Sequence, residues 1–293
     1  MTVDFSLKAR KSTERTVKDW IFRMFLAAGI GIALGALATL LLNIIVQGHS
    51  RFNMDLINNM PSARPLRAGI QSAIFGSLWV VGITALVSLP LGVAAAVYLE
   101  EFARKERWYN RLIELNVQNL AAVPSVVFGI LGLAFIKRGA LSFGSTVFTA
   151  SLVLAMLVLP TVVIVSREAI RAVPDSLRQG SLALGATQWQ TVSKQVLPNA
   201  FPGILTGSIL SVSRALGESA PLLMLGALTF ITFNPDGLDS QYTVLPIQIF
   251  SYISNAKSDF EPLAAASIMV LLIMLLVLNS AAILLRNKFQ KRW

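Results

Sequence analysis

The stretch "SVSRALGESAPLL" places Arg214 and Glu218 four residues apart in an otherwise apolar run. At helical spacing the two share one face. An ionisable group at the centre of a bilayer costs about 2.5–3.5 kcal/mol on insertion scales, so such groups face an interior or a water-filled path. Two readings are open. The pair can neutralise itself and fix helix packing. Alternatively, Arg214 offers its planar donors to an oxyanion while Glu218 holds the guanidinium and limits trapping. Arginine suits an oxyanion because its planar fork matches two oxygens at once. Ser211, Thr206, Ser213 and Ser219 could add hydroxyls, although serine in a membrane helix also bonds its own backbone. Arg167 and Glu168 are either a second polar station or an anchor at the membrane edge.

A second passage, "SLALGATQWQTVSKQVLP" (181–198), is polar where its neighbours are apolar. Pro174, Asp175 and Ser176 open a helix, and Leu177, Ser181 and Leu184 fall at i, i+4, i+7. Gly185 is placed to end it in the left-handed conformation. Thr187 then starts another helix, with Gln190 three residues on in the capping-box arrangement. Trp189, Val192, Val196 and Leu197 share a face, and Pro198 is expected to end the helix. The stripe can pack on the chain's own underside or fit a groove in a partner.

The elements around these residues are set by composition. Of 293 residues, 55% are hydrophobic and only 14% charged, against roughly 25% charged in soluble domains. A membrane protein follows. The net charge of +10 does not indicate nucleic acid, because the basic residues lie in short segments between apolar runs rather than in an aromatic-interleaved patch. There is no cysteine, which excludes disulfides and thiolate metal sites, and the single histidine, His49, has no role assigned. The sequence lacks the G-x-x-x-x-G-K-[ST] phosphate loop, so ATP hydrolysis by that route would fall to a partner.

A bilayer core of about 30 Å needs roughly 20 apolar helical residues. Six spans are expected, at about 21–46, 70–99, 112–136, 147–166, 203–230 and 263–285. The third is polar at its start, with Glu114, Asn116, Gln118 and Asn119. Charge tests it, because inside loops are enriched in Lys and Arg. With six spans and both termini inside, 18 basic residues lie inside and 6 outside; without the third crossing the split becomes 13 to 11. Residues 166–198 are then cytoplasmic, as is the basic segment 1–20, and 21–293 form the transmembrane domain with a core at about 70–285. The first run is too long, and too deep in the chain, for a cleavable signal. Gly31-x-x-x-Gly35 and Gly203-x-x-x-Gly207 allow close helix packing. Pro90, Pro124, Pro160 and Pro221 fall inside spans and can kink them.

Gly185, twelve residues, then Pro198 resembles the EAA loop of ABC-importer permeases. "VPDSLRQGSLALGATQWQTV" (173–192), "AAVPSVVFGILGL" (121–133), "SRALGESAPLL" (213–223) and "LRNKFQKRW" (285–293) are similar to phosphate-transport permeases of the PstA type. The likeness runs from about residue 70 to the C-terminus. It implies an all-α membrane protein of MetI-like fold, with six transmembrane helices and a cytoplasmic EAA-type coupling helix between spans 4 and 5. It further implies a bacterial inner-membrane location and a function as half of a phosphate-conducting pore. The implied partners are a PstC-type permease, two PstB-type ATPase subunits and a PstS-type extracytoplasmic phosphate-binding protein. ATP and Mg would be bound by the ATPase, with no cofactor or metal in this chain. Gln179, Ala183, Gly185, Ala186, Trp189, Leu197 and Pro198 would meet the ATPase, and Arg214, Glu218, Ser211 and Arg167 would line the phosphate path. The family's loop motif opens on an acidic residue six positions before the glycine; here it is Gln179, which keeps hydrogen bonding but loses the charge.

Two other classes fit less well. An intramembrane enzyme needs a nucleophile–base set or metal ligands at membrane depth, and the spans hold no cysteine, no histidine and no carboxylate pair within one helix. An ion-coupled secondary transporter predicts inverted repeats, and none is visible. Within the permeases, sulfate, molybdate and phosphonate remain alternative substrates.

Overall fold

The computed structural model describes residues 13–104, 106–138 and 142–289. Among them the chain is helical, and its only strand-like pairing is an isolated bridge between Thr146 and Gln241. In chain order come α1 (Thr13–Gly48), α2 (Met54–Asn58), α3 (Gln71–Val97), α4 (Trp108–Ala121), α5 (Ser125–Leu131) and α6 (Val147–Arg171). They are followed by α7 (Asp175–Ala183), α8 (Gln188–Thr191), α9 (Leu197–Gly217), α10 (Ala220–Leu225), α11 (Leu245–Ile253) and α12 (Glu261–Phe289). Among the described residues, five continuous helical segments are long and apolar enough to cross a membrane: 18–51, 71–102, 147–171, 188–217 and 258–288. The first twelve residues and the last four lie outside the described residues, and with them most of the expected N-terminal segment; α1 already begins at Thr13.

The centre of the bundle is α3 packed along α6. Their register is pinned by small and polar contacts. Thr84 Oγ1 donates to the Ser151 carbonyl and Ser151 Oγ to that of Val80, both at 3.2 Å. Further along, a Cβ on Gly92 would fall 2.6 Å from Val162 Cγ1, so the two backbones approach as only glycine allows. The contact partners rise together along both helices, so α3 and α6 run parallel. Residues 103–146 must therefore return across the thickness of the bundle.

That return is not the straight third span expected at 112–136. Helix α4 and the segment Ser125–Lys137, which is α5 continued by a π-helical stretch, meet at a 104° bend. Pro124 explains the break: it disfavours helical geometry at the residue before it and has no N–H to donate. Helix α4, rich in polar residues, stays at the end of the bundle that also carries α7 and α8. The segment after Pro124 runs towards the far end, with Gly132 against Val153 and Ile136 in one cluster with Val147.

The expected fifth span at 203–230 is also corrected at both ends. The helix begins at Gln188, passes through a π turn at Val192–Val196 and continues to Gly217. Pro198 therefore does not end a helix; it sits in the first turn of α9, where a missing donor costs least, directly after the wide π turn. At the other end Glu218 is extended (φ −76°, ψ 120°) and a separate short helix, α10, follows. Gly217 and Pro221 weaken the helical ladder on either side of this break.

Helix α9 runs antiparallel to α6 and α12. Cβ atoms on Gly203 and Gly207 would lie 2.9 and 2.8 Å from Ala169 and Val165 Cβ, so this pair of glycines mediates close packing as expected. Gly31 and Gly35 do not: nothing lies within 4 Å of a Cβ at either, and none of α1's apolar window is covered by the rest of the chain. At the far end Tyr252 donates to the Gly69 carbonyl at 2.6 Å and stacks on Phe260, closing a core with Leu56, Leu245 and Leu263. Burial pushes the Tyr252 phenol up, so it stays a neutral donor.

Candidate functional site

Helix α9 presents one bare stripe. Gly203, Leu210, Arg214 and Gly217 are exposed, while Ser211, Val212, Ser213, Ala215 and Leu216 are buried. The depth of Arg214 follows from its neighbours. Ala215 packs with Val158 and Val162 of α6, and Leu216 with Val81 of α3, all near the middle of their helices. The Arg214 side chain is 70% exposed and the Glu218 side chain 17%, with Nε and Oε1 3.5 Å apart. The pair expected on one helix face thus meets across a helix end: Arg214 projects from the last turn of α9 and Glu218 folds back from the connection. The contact is longer than a charge-assisted hydrogen bond of about 2.7–2.9 Å, so the guanidinium keeps donors for another anion. Ser211 spends its hydroxyl on the Gly207 carbonyl at 2.9 Å, and Ser213 bonds Asn279 at 2.8 Å; neither points its proton at the stripe.

Arg167 lies elsewhere. It is 6% exposed and held by two carboxylates, its Nε 2.6 Å from Glu100 and its Nη2 2.7 Å from Glu114. Arg171 reaches the same Glu100 at 2.8 Å. Next to this cluster Arg178 of α7 donates to Glu101 at 2.9 Å and to the carbonyls of Ile170 and Val173 at 2.9 and 2.6 Å, capping the end of α6. The Gln188 side chain donates to the Glu101 carbonyl. Two arginines of α6 and one of α7 are thereby tied to the end of α3 and to α4. Glu100 and Glu101 are the site residues that sequence reasoning missed. The tandem "YLEEF" closing an apolar run was the available signal, since two carboxylates at a span end need cationic partners.

The passage 174–198 is helix, turn, helix. Gly185 has φ +83° and turns the chain after α7; the capping box at Thr187 and Gln190 has both of its hydrogen bonds. The apolar stripe of the second helix divides. Val192 and Val196 are fully buried against Ala96, Leu99, Ile170 and Val173. Trp189 is 62% exposed, with its ring centroid 6.2 Å from that of Phe102, and Leu197 is half-buried. On the outer side, Gln179, Ala183 and Gly185 are exposed, Ala186 is half-buried, and Leu184 at the elbow is 91% exposed. Valines thus anchor the knob, while Leu182, Leu184 and Trp189 are displayed.

The sequence profile of the family described as "Binding-protein-dependent transport system inner membrane component" matches residues 88–292. The chain belongs to this family of transport permeases. Among relatives of the permease, the "Probable ABC transporter permease protein YqgI" of Bacillus subtilis is 33% identical over 88% of this chain and 92% of that one. The "Phosphate transport system permease protein PstA" of Mycobacterium leprae is 34% identical over 84% of this chain and 81% of that protein. A solved bacterial alginate ABC transporter, in complex with a pentasaccharide-bound periplasmic protein, shares the fold at 17% identity. It superposes with a TM-score of 0.67 over 92% of this chain and 94% of its own. The permease is therefore a multi-pass membrane protein of the MetI-like architecture, and the family match encloses the Arg214 stripe, the ion-pair cluster and the α7–α8 knob.

Proposed function

We propose that this permease forms one half of the membrane pore of an ATP-driven importer of inorganic phosphate. The observation that carries the reading is Arg214: an exposed guanidinium, loosely held by Glu218, at mid-depth on the one uncovered stripe of α9. An unshielded cation at that depth is costly unless it meets water, a partner chain or an anion. A second, homologous permease of the PstC type would cover the stripe and close the pore. Phosphate, released by a PstS-type binding protein on the far side, would pass Arg214, with Glu218 preventing it from being held too tightly.

The α7–α8 end is the cytoplasmic one in this reading, and both termini are cytoplasmic. Two PstB-type ATPase subunits, which bind ATP and Mg, would supply the energy. One of them receives the Gly185 elbow with Ala183, Ala186 and Trp189, and no chemistry occurs in the permease itself. Closure of the ATPases would push α7 and α8; the Arg178–Glu101 and Arg167–Glu100 pairs would pass that motion to α3 and α6, which carry Pro90 and Pro160 inside the helix. The movement is rigid-body switching of access, not covalent catalysis.

The test is uptake of labelled phosphate in cells lacking and then regaining this chain, with sulfate and molybdate as competitors and ATP depletion as control. Restored, ATP-dependent uptake that the other anions do not block is expected. Restored uptake of another oxyanion alone would overturn the substrate, because a guanidinium fork does not itself distinguish tetrahedral anions.

A further inference from the structure

Resting on the phosphate-pore reading, we propose that Arg286, near the end of α12, is a second anion station on the cytoplasmic side of Arg214. It lines a groove of about 590 Å³ between α6, α9 and α12, together with Glu168, Gly203, Thr206, Gly207 and Leu210. Three of these, Gly203, Thr206 and Leu210, continue the α9 stripe that carries Arg214.

Register fixes the level. Ser213 bonds Asn279 across the antiparallel pair α9 and α12. Seven residues back on α9 is Thr206, and seven residues on along α12 is Arg286. The groove therefore lies roughly 10 Å, two helical turns, nearer the α7–α8 end than Arg214. That distance suits a hand-over between stations better than a single shared site.

The chemistry repeats that of the first station. Arg286 is half-buried, and its Nε is buried without a hydrogen-bond partner among the described residues. Arg167, Arg171 and Arg178 all have carboxylate partners within 3 Å; Arg286 has none among the described residues. A half-buried cation that no carboxylate pairs with is costly at the membrane, and an anion in the groove lined by Arg286 would compensate its charge. Thr206 donates to the Pro202 carbonyl at 2.8 Å, so the cation supplies the donors. Glu168 on the facing wall would limit dwell there, as Glu218 does at Arg214. The Gly203 and Gly207 contacts with α6 bring the carboxylate wall close to the stripe.

The experiment uses the assembled complex in inside-out vesicles with Leu210→Cys, since this chain has no cysteine of its own. Labelling of this chain by a membrane-impermeant thiol reagent is followed with and without inorganic phosphate. Phosphate is expected to slow labelling severalfold. Arg286→Gln should remove that protection, leave co-purification and the KM for external phosphate unchanged, and lower maximal uptake severalfold. Arg286→Lys, which keeps the charge but not the fork, should give partial protection and serves if the Gln variant does not assemble. Protection undiminished by either substitution, or an unreactive Leu210→Cys, would overturn the station. Absence of phosphate uptake by the unsubstituted complex would instead contradict the phosphate reading beneath it.

Discussion

At the scale of single residues, two arginines of similar appearance in the sequence have opposite surroundings. Arg214 is exposed and loosely paired, whereas Arg167 is buried between Glu100 and Glu114. Replacing Arg214 by Ala should reduce phosphate uptake at least tenfold while the complex still assembles, and Arg214→Lys should recover little because the fork is lost. Arg167→Ala should act on stability, since removing one partner of a buried ion pair costs about 3–5 kcal/mol. The check is a lowered Tm of the purified complex with KM for phosphate unchanged; a raised KM at unchanged Tm would return Arg167 to the substrate path. Arg214 was legible in the sequence because a charge in an apolar run is visible locally. The partners of Arg167 were not, because they lie 67 and 53 residues away and only the packing of α3 and α4 against α6 joins them.

At the scale of elements, caps were legible and continuity was not. The turn at Gly185 and the capping box at Thr187 depend on a few adjacent residues and stand as the sequence indicated. The run from α8 into α9 does not obey Pro198 as a stop, because a π turn and tertiary packing of Val192 and Val196 override the local signal. The end of α9 at Gly217 and the bend before Pro124 were legible only as kink sites at Pro124 and Pro221, because a proline does not by itself tell a kinked helix from a full break. Gly185→Leu should strain the elbow, as left-handed geometry costs an ordinary residue about 1–2 kcal/mol, and abolish co-purification of the ATPase; Gly185→Asn should largely retain it. A double-mutant cycle on Arg178 and Glu101, read as ATP-driven uptake, should show coupling between the knob and α3. Strict additivity would mean that the pair does not transmit the motion.

At the scale of the whole molecule, the uncovered surfaces define what is missing. None of α1's apolar window is covered by the rest of the chain, and the α9 stripe exposes a cation at membrane depth. Fold class and five of the six expected spans followed from hydropathy; the shape of the third segment, bent by 104° before Pro124, did not. Leu184→Cys, at the 91% exposed elbow, should react with impermeant thiol reagents in inside-out vesicles and not in intact cells, and to be shielded when the ATPase is bound. Reaction from the outside would invert the topology. Whether Arg214 lines a phosphate pore is tested by ATP-dependent accumulation of labelled phosphate in proteoliposomes holding the complete complex, comparing the natural chain with Arg214→Ala at equal assembly. Accumulation that requires both ATP and Arg214 is expected. Equal accumulation by the two complexes would take Arg214 out of the phosphate path.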